Sequence, residues 1–503
     1  MADRITIIEN GLTVTCDRQN RIGNYSILVR GDYITELAHS SSAWKDVYPH
    51  AQIVDATDKI VVPGFIEPFF NTPEYLLRAE SGANPFGTSQ SNPRIAKAHE
   101  FLDSLDSAED YQRMYEVAFF AALKSGVTTI CDISTIRSVN ALKGAIQALK
   151  RSDVRGVVGI NNNEGVSISA SSSKVTFVVV LPGEDELTVY SLQTSIRLAK
   201  EFNLPVCISL GRSKESHDLL KRNFSFTLTK LLRDYKFFDT SIFLAGSVVF
   251  ERNDTSILAT AGVPIVLTPR SVDHTWSEYP PYRKLLNDNS LLALSSDLVS
   301  PEPLTNIRVF SQHVSEEGIN LTSGSFLIRL HTIHAARALG LDSVTGSIEP
   351  GKQADIAMID ISDFRFRTLC DSGDRDQDLG AILKETHPHN VTDVMIRGDF
   401  FLRERTLLTM SEDELIFKAK VLKSTLLPPL EHEIPAQVLP LTPTSPQMAT
   451  AVNTPQAEIS EDEGFRVIKQ KGTPPGGTDS PSRTITLPPN VRKSFGDEDV
   501  ENI

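Results

Sequence analysis

Cysteine is scarce in this chain: four residues in 503 (Cys16, Cys131, Cys207 and Cys370), widely spaced and with no C-x-x-C. No disulfide framework can be read from them, and a core of this size needs none. Cys131 and Cys207 lie inside apolar runs and read as buried thiols of a reducing compartment. Basic charge is also short, with 50 Lys and Arg against 64 Asp and Glu, a net of −14. Such a surface repels phosphate backbones and anionic headgroups, and no Lys/Arg stripe reverses it locally. Nucleic acid and membrane are therefore excluded as partners. Long apolar runs are missing too. Stretches such as Val175–Leu181 cannot span a bilayer, and the N-terminal MADRITIIENG has no apolar leader. The expected location is cytoplasmic. Phosphate-cradling G-x-x-x-x-G-K-[ST] and G-x-G-x-x-G loops and the G-x-S-x-G elbow are all absent.

What is present is a regular alternation. Apolar, β-rich runs occur at Ile60–Ile66, Val127–Ile133, Val157–Ile160, Val175–Leu181, Val206–Leu210, Ile242–Ala245, Pro264–Leu267 and Leu291–Leu294. Between most of them lie segments with helical spacing, such as Ala108–Lys124, Leu187–Phe202 and Ser216–Asp234. Strands apolar throughout and separated by helices imply a parallel sheet buried on both faces, and eight of them imply an α/β fold, a (β/α)8 barrel of the TIM type. Gly126 and Gly262, each just before a strand, read as helix C-caps.

Both ends of the chain look different. Short half-alternating segments at Arg4–Ile8, Leu12–Thr15, Ser26–Arg30 and Tyr33–Leu37 are separated by turn residues, Asn20–Gly23 among them. A second such stretch follows at Asp355–Ile361 and Val391–Arg397, with a turn at Gly398-Asp399. The last 76 residues hold 12 of the 28 prolines and five Ser/Thr-Pro pairs, a composition that cannot bury enough apolar surface to order itself. This tail is expected to be disordered and removable without unfolding the rest; a regulatory or partner-docking role is open, beside an inert solubilising one.

Three segments carry a family resemblance. Ile60-Val61-Val62-Pro63-Gly64-Phe65-Ile66 resembles the V-x-P-G-F-I-D opening strand of the amidohydrolase superfamily. Lys124-Ser125-Gly126-Val127-Thr128-Thr129-Ile130-Cys131-Asp132 is similar to its K-S-G-T-T-T-x-x-D segment. Ala335–Leu341, followed by Gly346-Ser347-Ile348-Glu349-Pro350-Gly351-Lys352-Gln353-Ala354-Asp355-Ile356, resembles its closing signature. The nearest branch is that of adenosylhomocysteine deaminases and chlorotriazine hydrolases. The resemblance implies a barrel flanked by a composite β-sandwich made from both chain ends. On it the chain divides into 1–61 (sandwich), 62–345 (barrel), 346–410 (sandwich), 411–427 (helical extension) and 428–503 (tail). It also implies a zinc or iron ion that activates water for attack on a C–N or C–Cl carbon, held at the C-terminal ends of barrel strands.

The ligand positions depart from that pattern. The His-x-His positions after the opening strand fall on Phe69 and Asn71. The H-x-x-E expected after the fifth strand reads Ser209-Leu210-Gly211-Arg212, with a cation where a proton-shuttling carboxylate belongs. Gly246 ends the sixth strand where a histidine is due, and only Asp297, in Leu294-Ser295-Ser296-Asp297, keeps a ligand position. His217 and His274 are displaced onto a helix start and a loop. His387-Pro388-His389 reads as a surface loop, and His331 and His334 as packing residues of an outer helix. The candidate pocket is therefore Phe69, Asn71, Ser209, Arg212, Gly246 and Asp297, with no catalytic residue assigned and no metal or cofactor expected. Two side chains are expected to meet in it: Asp297 and Arg212, paired where the metal would stand. From these losses the sequence predicts an amidohydrolase-like pseudoenzyme acting by binding or assembly. The alternatives are a hydrolase of non-peptide C–N bonds, such as a deaminase of a purine-like or heteroaromatic substrate, and a small-molecule binder without turnover. The partners expected are a small molecule in the barrel mouth and further copies of the chain.

Overall fold

Seven short strands precede the barrel: β1 (Ile5–Glu9), β2 (Leu12–Val14), β3 (Ile22–Asn24), β4 (Ser26–Arg30), β5 (Tyr33–Ala38), β6 (Gln52–Asp55) and β7 (Lys59–Pro63). The structure is a computed structural model that describes residues 4–77, 105, 107–134, 139–160, 175–246, 249–270, 280–296, 300–369 and 372–426. The Pro-rich tail lies outside the described residues, as do Cys370, His274 and Asp297. The chain divides into Met1–Pro428, described here, and Pro429–Ile503. Among the described residues no helix is long and apolar enough to cross a membrane.

Seven of the eight apolar runs and the end of the first form eight parallel strands: β8 (Phe65–Phe70), β9 (Val127–Asp132), β10 (Arg155–Ile160), β11 (Val175–Val180), β12 (Val206–Ile208), β13 (Ile242–Ala245), β14 (Ile265–Leu267) and β15 (Leu292–Leu294). They lie side by side in chain order, each hydrogen-bonded to the next. One apolar side chain or more from every strand fills the interior, among them Ile66, Phe69, Cys131, Val157, Val178, Cys207, Phe243, Val266 and Ala293. This is a (β/α)8 barrel with a packed lumen.

Three expectations need correction. The run Ile60–Ile66 is not one strand: it breaks at Gly64 into the end of β7 and the start of β8, which belong to different sheets. A Cβ on Gly64 would lie 2.3 Å from Thr128, so only glycine lets the chain pass there. The stretch Ser216–Asp234 holds two helices, Lys214–Phe224 and Leu228–Asp234, parted at Ser225, whose backbone is left-handed (φ 55°). The turn expected at Asn20–Gly23 is shorter, because Ile22–Asn24 pairs with β2.

The strands that follow the barrel return to the first ones. These are β16 (Ile356–Asp360), β17 (Val391–Ile396), β18 (Asp399–Arg403) and β19 (Thr406–Leu407). One sheet runs β19-β18-β17-β16-β7-β2-β3, so β16 lies directly against β7, and a second runs β5-β4-β1-β6. Their inner faces share a core that includes Ile8, Ile27, Val29, Val54, Val61, Ile356, Met358 and Met395. This is the composite sandwich. Asp355, at the end of the closing signature, joins it to the barrel. Its carboxylate takes Arg155 Nη2 of β10 at 2.7 Å, Thr345 Oγ1 at 2.8 Å and the Arg397 amide at 2.9 Å.

Candidate functional site

In a barrel of this kind the strands' C-terminal ends open onto the pocket, and here they bring most of the candidate residues together. Phe69 is buried on β8, its ring among the lumen side chains. Arg212 follows β12, four strands away and thus across the lumen, yet its guanidinium carbon lies 5.6 Å from the Phe69 ring centroid. The side chain therefore extends over the barrel axis, within cation–π range of the ring. Its backbone is fixed on both sides. The Gly211 amide donates to Glu184 Oε1 at 2.6 Å, the Gly211 carbonyl accepts from the Val249 amide, and Ser213 caps the helix Lys214–Phe224 in a reciprocal capping box with Ser216.

Gly246 explains itself against this arginine. A Cβ there would sit 3.0 Å from Arg212 Nε and 3.3 Å from its Cζ. The residue also has φ +64°, in the left-handed region. Where the resemblance expects an imidazole, the space belongs to the guanidinium. Ser209, at the end of β12, has a buried Oγ with no hydrogen-bond partner among the described residues. Asn71 sits just beyond β8, half-buried. The expected Arg212–Asp297 pair cannot be placed, since Asp297 lies outside the described residues.

A second polar group closes the barrel. Among the described residues no main-chain ladder joins β8 to β15; side chains do it instead. Glu67, fully buried on β8, accepts from the Ser296 amide and Ser296 Oγ and lies against Ser295 Oγ, each at 2.8 Å. Ser295 Oγ also lies 3.0 Å from the Phe69 amide and 2.7 Å from the Phe69 carbonyl. That hydroxyl has one hydrogen and two acceptors, the Phe69 carbonyl and Glu67. A proton on Glu67 resolves the conflict, since the carboxyl then donates to Ser295 and Ser295 to Phe69. Burial accordingly pushes the Glu67 carboxyl up to about 7, against the opposing pull of the serine hydrogen bonds and of Arg270. Sequence reading passed over Glu67; the signal was a carboxyl inside an apolar run.

The histidines expected on an outer helix serve the same seam. The Ile66 amide donates to the His331 carbonyl at 2.7 Å, and His331 Nδ1 lies 3.3 Å from the Ile66 carbonyl. His334 Nδ1 lies 2.8 Å from the Leu292 carbonyl of β15. Both rings are buried, which lowers each to about 3, so both are neutral. Asp132, ending β9, turns outward, where Tyr115 Oη (2.8 Å), Ser134 Oγ (2.7 Å) and the Thr72 amide (3.1 Å) donate to it. His217 lies beside Glu251 at 3.2 Å, next to the Gly211 turn that carries Arg212, and His387 accepts from Arg308 at 2.9 Å.

Among the described residues no three of His, Cys, Asp and Glu gather as a cation would require. The described side chains at these positions do not fit a divalent metal. A phenyl ring and a glycine have no lone pair to give, and the guanidinium over the axis would repel a dication.

Residues 60–400 match the Amidohydrolase family. The chain is 21% identical to the 5-methylthioadenosine/S-adenosylhomocysteine deaminase of Caldicellulosiruptor saccharolyticus, covering 84% of this chain and 98% of that one. It is 23% identical to the 5'-deoxyadenosine deaminase of Methanosphaera stadtmanae, over 84% and 99%. Among solved structures, a zinc-bound adenosine deaminase from Xanthomonas campestris superposes with a TM-score of 0.73 at 18% identity, over 84% of this chain and 98% of that one. The zinc complex of atrazine chlorohydrolase from Arthrobacter aurescens gives 0.70 at 16%, over 83% and 99%. These relatives are named as enzymes along almost their whole length, which overturns the expectation of a non-catalytic binding or assembly protein. The departures at the ligand positions bear on one way of activating water only. From the opening strand to the closing signature, the chain belongs to the amidohydrolase family.

Proposed function

We propose that this protein hydrolyses a non-peptide C–N bond of a purine-like or other heteroaromatic substrate at the barrel mouth. The observation that carries the reading is the near end-to-end correspondence with deaminases, which spans the barrel and both parts of the sandwich. Hydrolytic deamination adds water to a ring carbon, and negative charge grows on the ring as it does so. Arg212, held over the lumen at Phe69, places a fixed positive charge where that negative charge develops, a preorganised stabilisation. Asn71 and Ser209 supply hydrogen-bonding groups at the ends of β8 and β12. Asp297, in the family's aspartate position, is the base that takes the proton of the attacking water. No step is assigned to a metal.

The test is ammonia release by the full chain from 5'-methylthioadenosine, S-adenosylhomocysteine, 5'-deoxyadenosine and an amino-substituted s-triazine. Turnover of one of them, abolished in Asp297→Asn, is the expected result. Release no faster than the protein-free control across the whole set overturns the reading.

A further inference from the structure

The helix Glu412–Leu426 is fastened to the barrel along one side. Lys418 Nζ reaches the buried Glu116 of the helix Ala108–Leu123 at 2.6 Å, Arg151 Nη2 reaches Glu414 at 3.1 Å, Lys124 pairs with Glu412, and Leu422 is buried. Its other side carries exposed apolar surface: Ile416 is 49% exposed, Phe417 68% and Val421 40%. Ile416, with Leu76, Val117 and Phe120, also lines an apolar groove of about 410 Å³. Single apolar side chains on a surface are ordinary, but a group of them beside a groove marks a contact surface.

The charges say what covers it. Glu412, Glu414 and Lys418 have partners within the chain, whereas Asp413 and Lys420 have no ion-pair partner among the described residues. These two stand two helical turns apart and share an outer stripe with Ile416 and Phe417 between them. The stripe is complementary to itself. A two-fold axis passing between Ile416 and Phe417 sets each Asp413 opposite the second copy's Lys420, and each Ile416 opposite the second copy's Phe417. The ring of Phe417 then arrives at the groove that Ile416 lines, an aromatic anchor in a pocket. A parallel pair would instead set Asp413 against Asp413 and Lys420 against Lys420. We propose that two copies of this chain pair through this helix, antiparallel about that axis, in an isologous contact. The pairing goes beyond the chemistry at the barrel mouth and does not depend on it. A patch one helix long is at the low end of specific interfaces, so a dissociation constant of roughly 1–100 μM is expected.

The experiment is analytical ultracentrifugation of the full chain across that concentration range. The expected result is a mass that rises with concentration from one chain toward two. Phe417→Asp should weaken the association at least about tenfold. Asp413→Lys and Lys420→Asp each bring like charges together twice in the dimer and should weaken it by about tenfold. The double reversal restores opposite charges at both contacts and should restore the wild-type affinity. A mixture of the two single-reversal chains should associate with each other better than either does with itself. All three positions are exposed, so the variants should melt with the wild type. The mass of one chain at every concentration overturns the inference, as does an association that Phe417→Asp leaves unchanged. Single reversals without effect, or a mixture that associates no better than its components, would show that the helices do not meet antiparallel and would overturn it too.

Discussion

Replacing Glu67 with glutamine tests whether the barrel seam holds a proton. The native carboxyl is raised from 4.5 to about 7, mainly by burial. A group raised in the folded state binds its proton more tightly there than in the unfolded chain. Its favourable contribution is complete below about pH 4.5 and is lost as pH rises through about 7. At about 1.4 kcal/mol for each pH unit between those limits, the loss is about 3 kcal/mol. Glutamine is uncharged at every pH: its Oε1 accepts from Ser296 Oγ and its Nε2 donates to Ser295, but the Ser296 amide, which points at the same carboxyl oxygen as Ser295, then loses its acceptor. Urea unfolding should therefore find Glu67→Gln less stable than wild type by about 1–3 kcal/mol at about pH 5, with that deficit smaller by about 2–3 kcal/mol at about pH 8.5. A variant destabilised equally at both pH values would refute the reasoning, because it would mean that the seam needs the carboxylate and not the acid.

Three further outcomes follow from contacts described above or close to them. Arg155→Met leaves Asp355 buried without its partner and should cost about 3–5 kcal/mol in urea unfolding. Asp355 is pushed up by burial but held below its ordinary range by the charge and hydrogen bonds of Arg155, so wild-type stability from this pair falls as pH drops, and that acid-side loss should shrink in the variant. Gly64→Ala sets a methyl 2.3 Å from Thr128 and should cost about 1–3 kcal/mol or more by the same measurement. Lys418→Met removes the 2.6 Å contact by which the helix Glu412–Leu426 grips buried Glu116. Limited proteolysis should then cut that helix faster while the barrel core stays intact; an unchanged cleavage rate would show that Leu415 and Leu422 hold it without the ion pair.

Most of the fold was legible because buried parallel strands announce themselves as short apolar runs, and seven of the eight begin and end within a few residues of where the pattern puts them. The exception, Ile60–Ile66, is instructive. Periodicity records that a run is apolar, not that Gly64 hands the chain from one sheet to another. The closing signature was legible as a motif and mute about its work, since Asp355 finds Arg155 from 200 positions away. At the mouth, sequence showed the charge reversal at Arg212 but not its reach across the lumen to Phe69, a relation between opposite strands that no local spacing encodes. Glu67 escaped for the same reason: its partners, Ser295 and Ser296, come 228 and 229 residues later.

That last separation bears on how the chain assembles as it is made. The first barrel strand emerges from the ribosome long before the groups that fasten it to the eighth, since the bonds to Ile66 and Leu292 come from His331 and His334. β7 likewise waits for β16 before its sheet is complete. Loop closure over such distances is slow, and an unclosed barrel exposes the edges of β8 and β15 to any other strand nearby. Closure therefore waits until roughly two-thirds of the chain, through His334, has been made. A truncated message or a stalled ribosome would yield an open sheet, a substrate for chaperones and proteases rather than a smaller version of the protein.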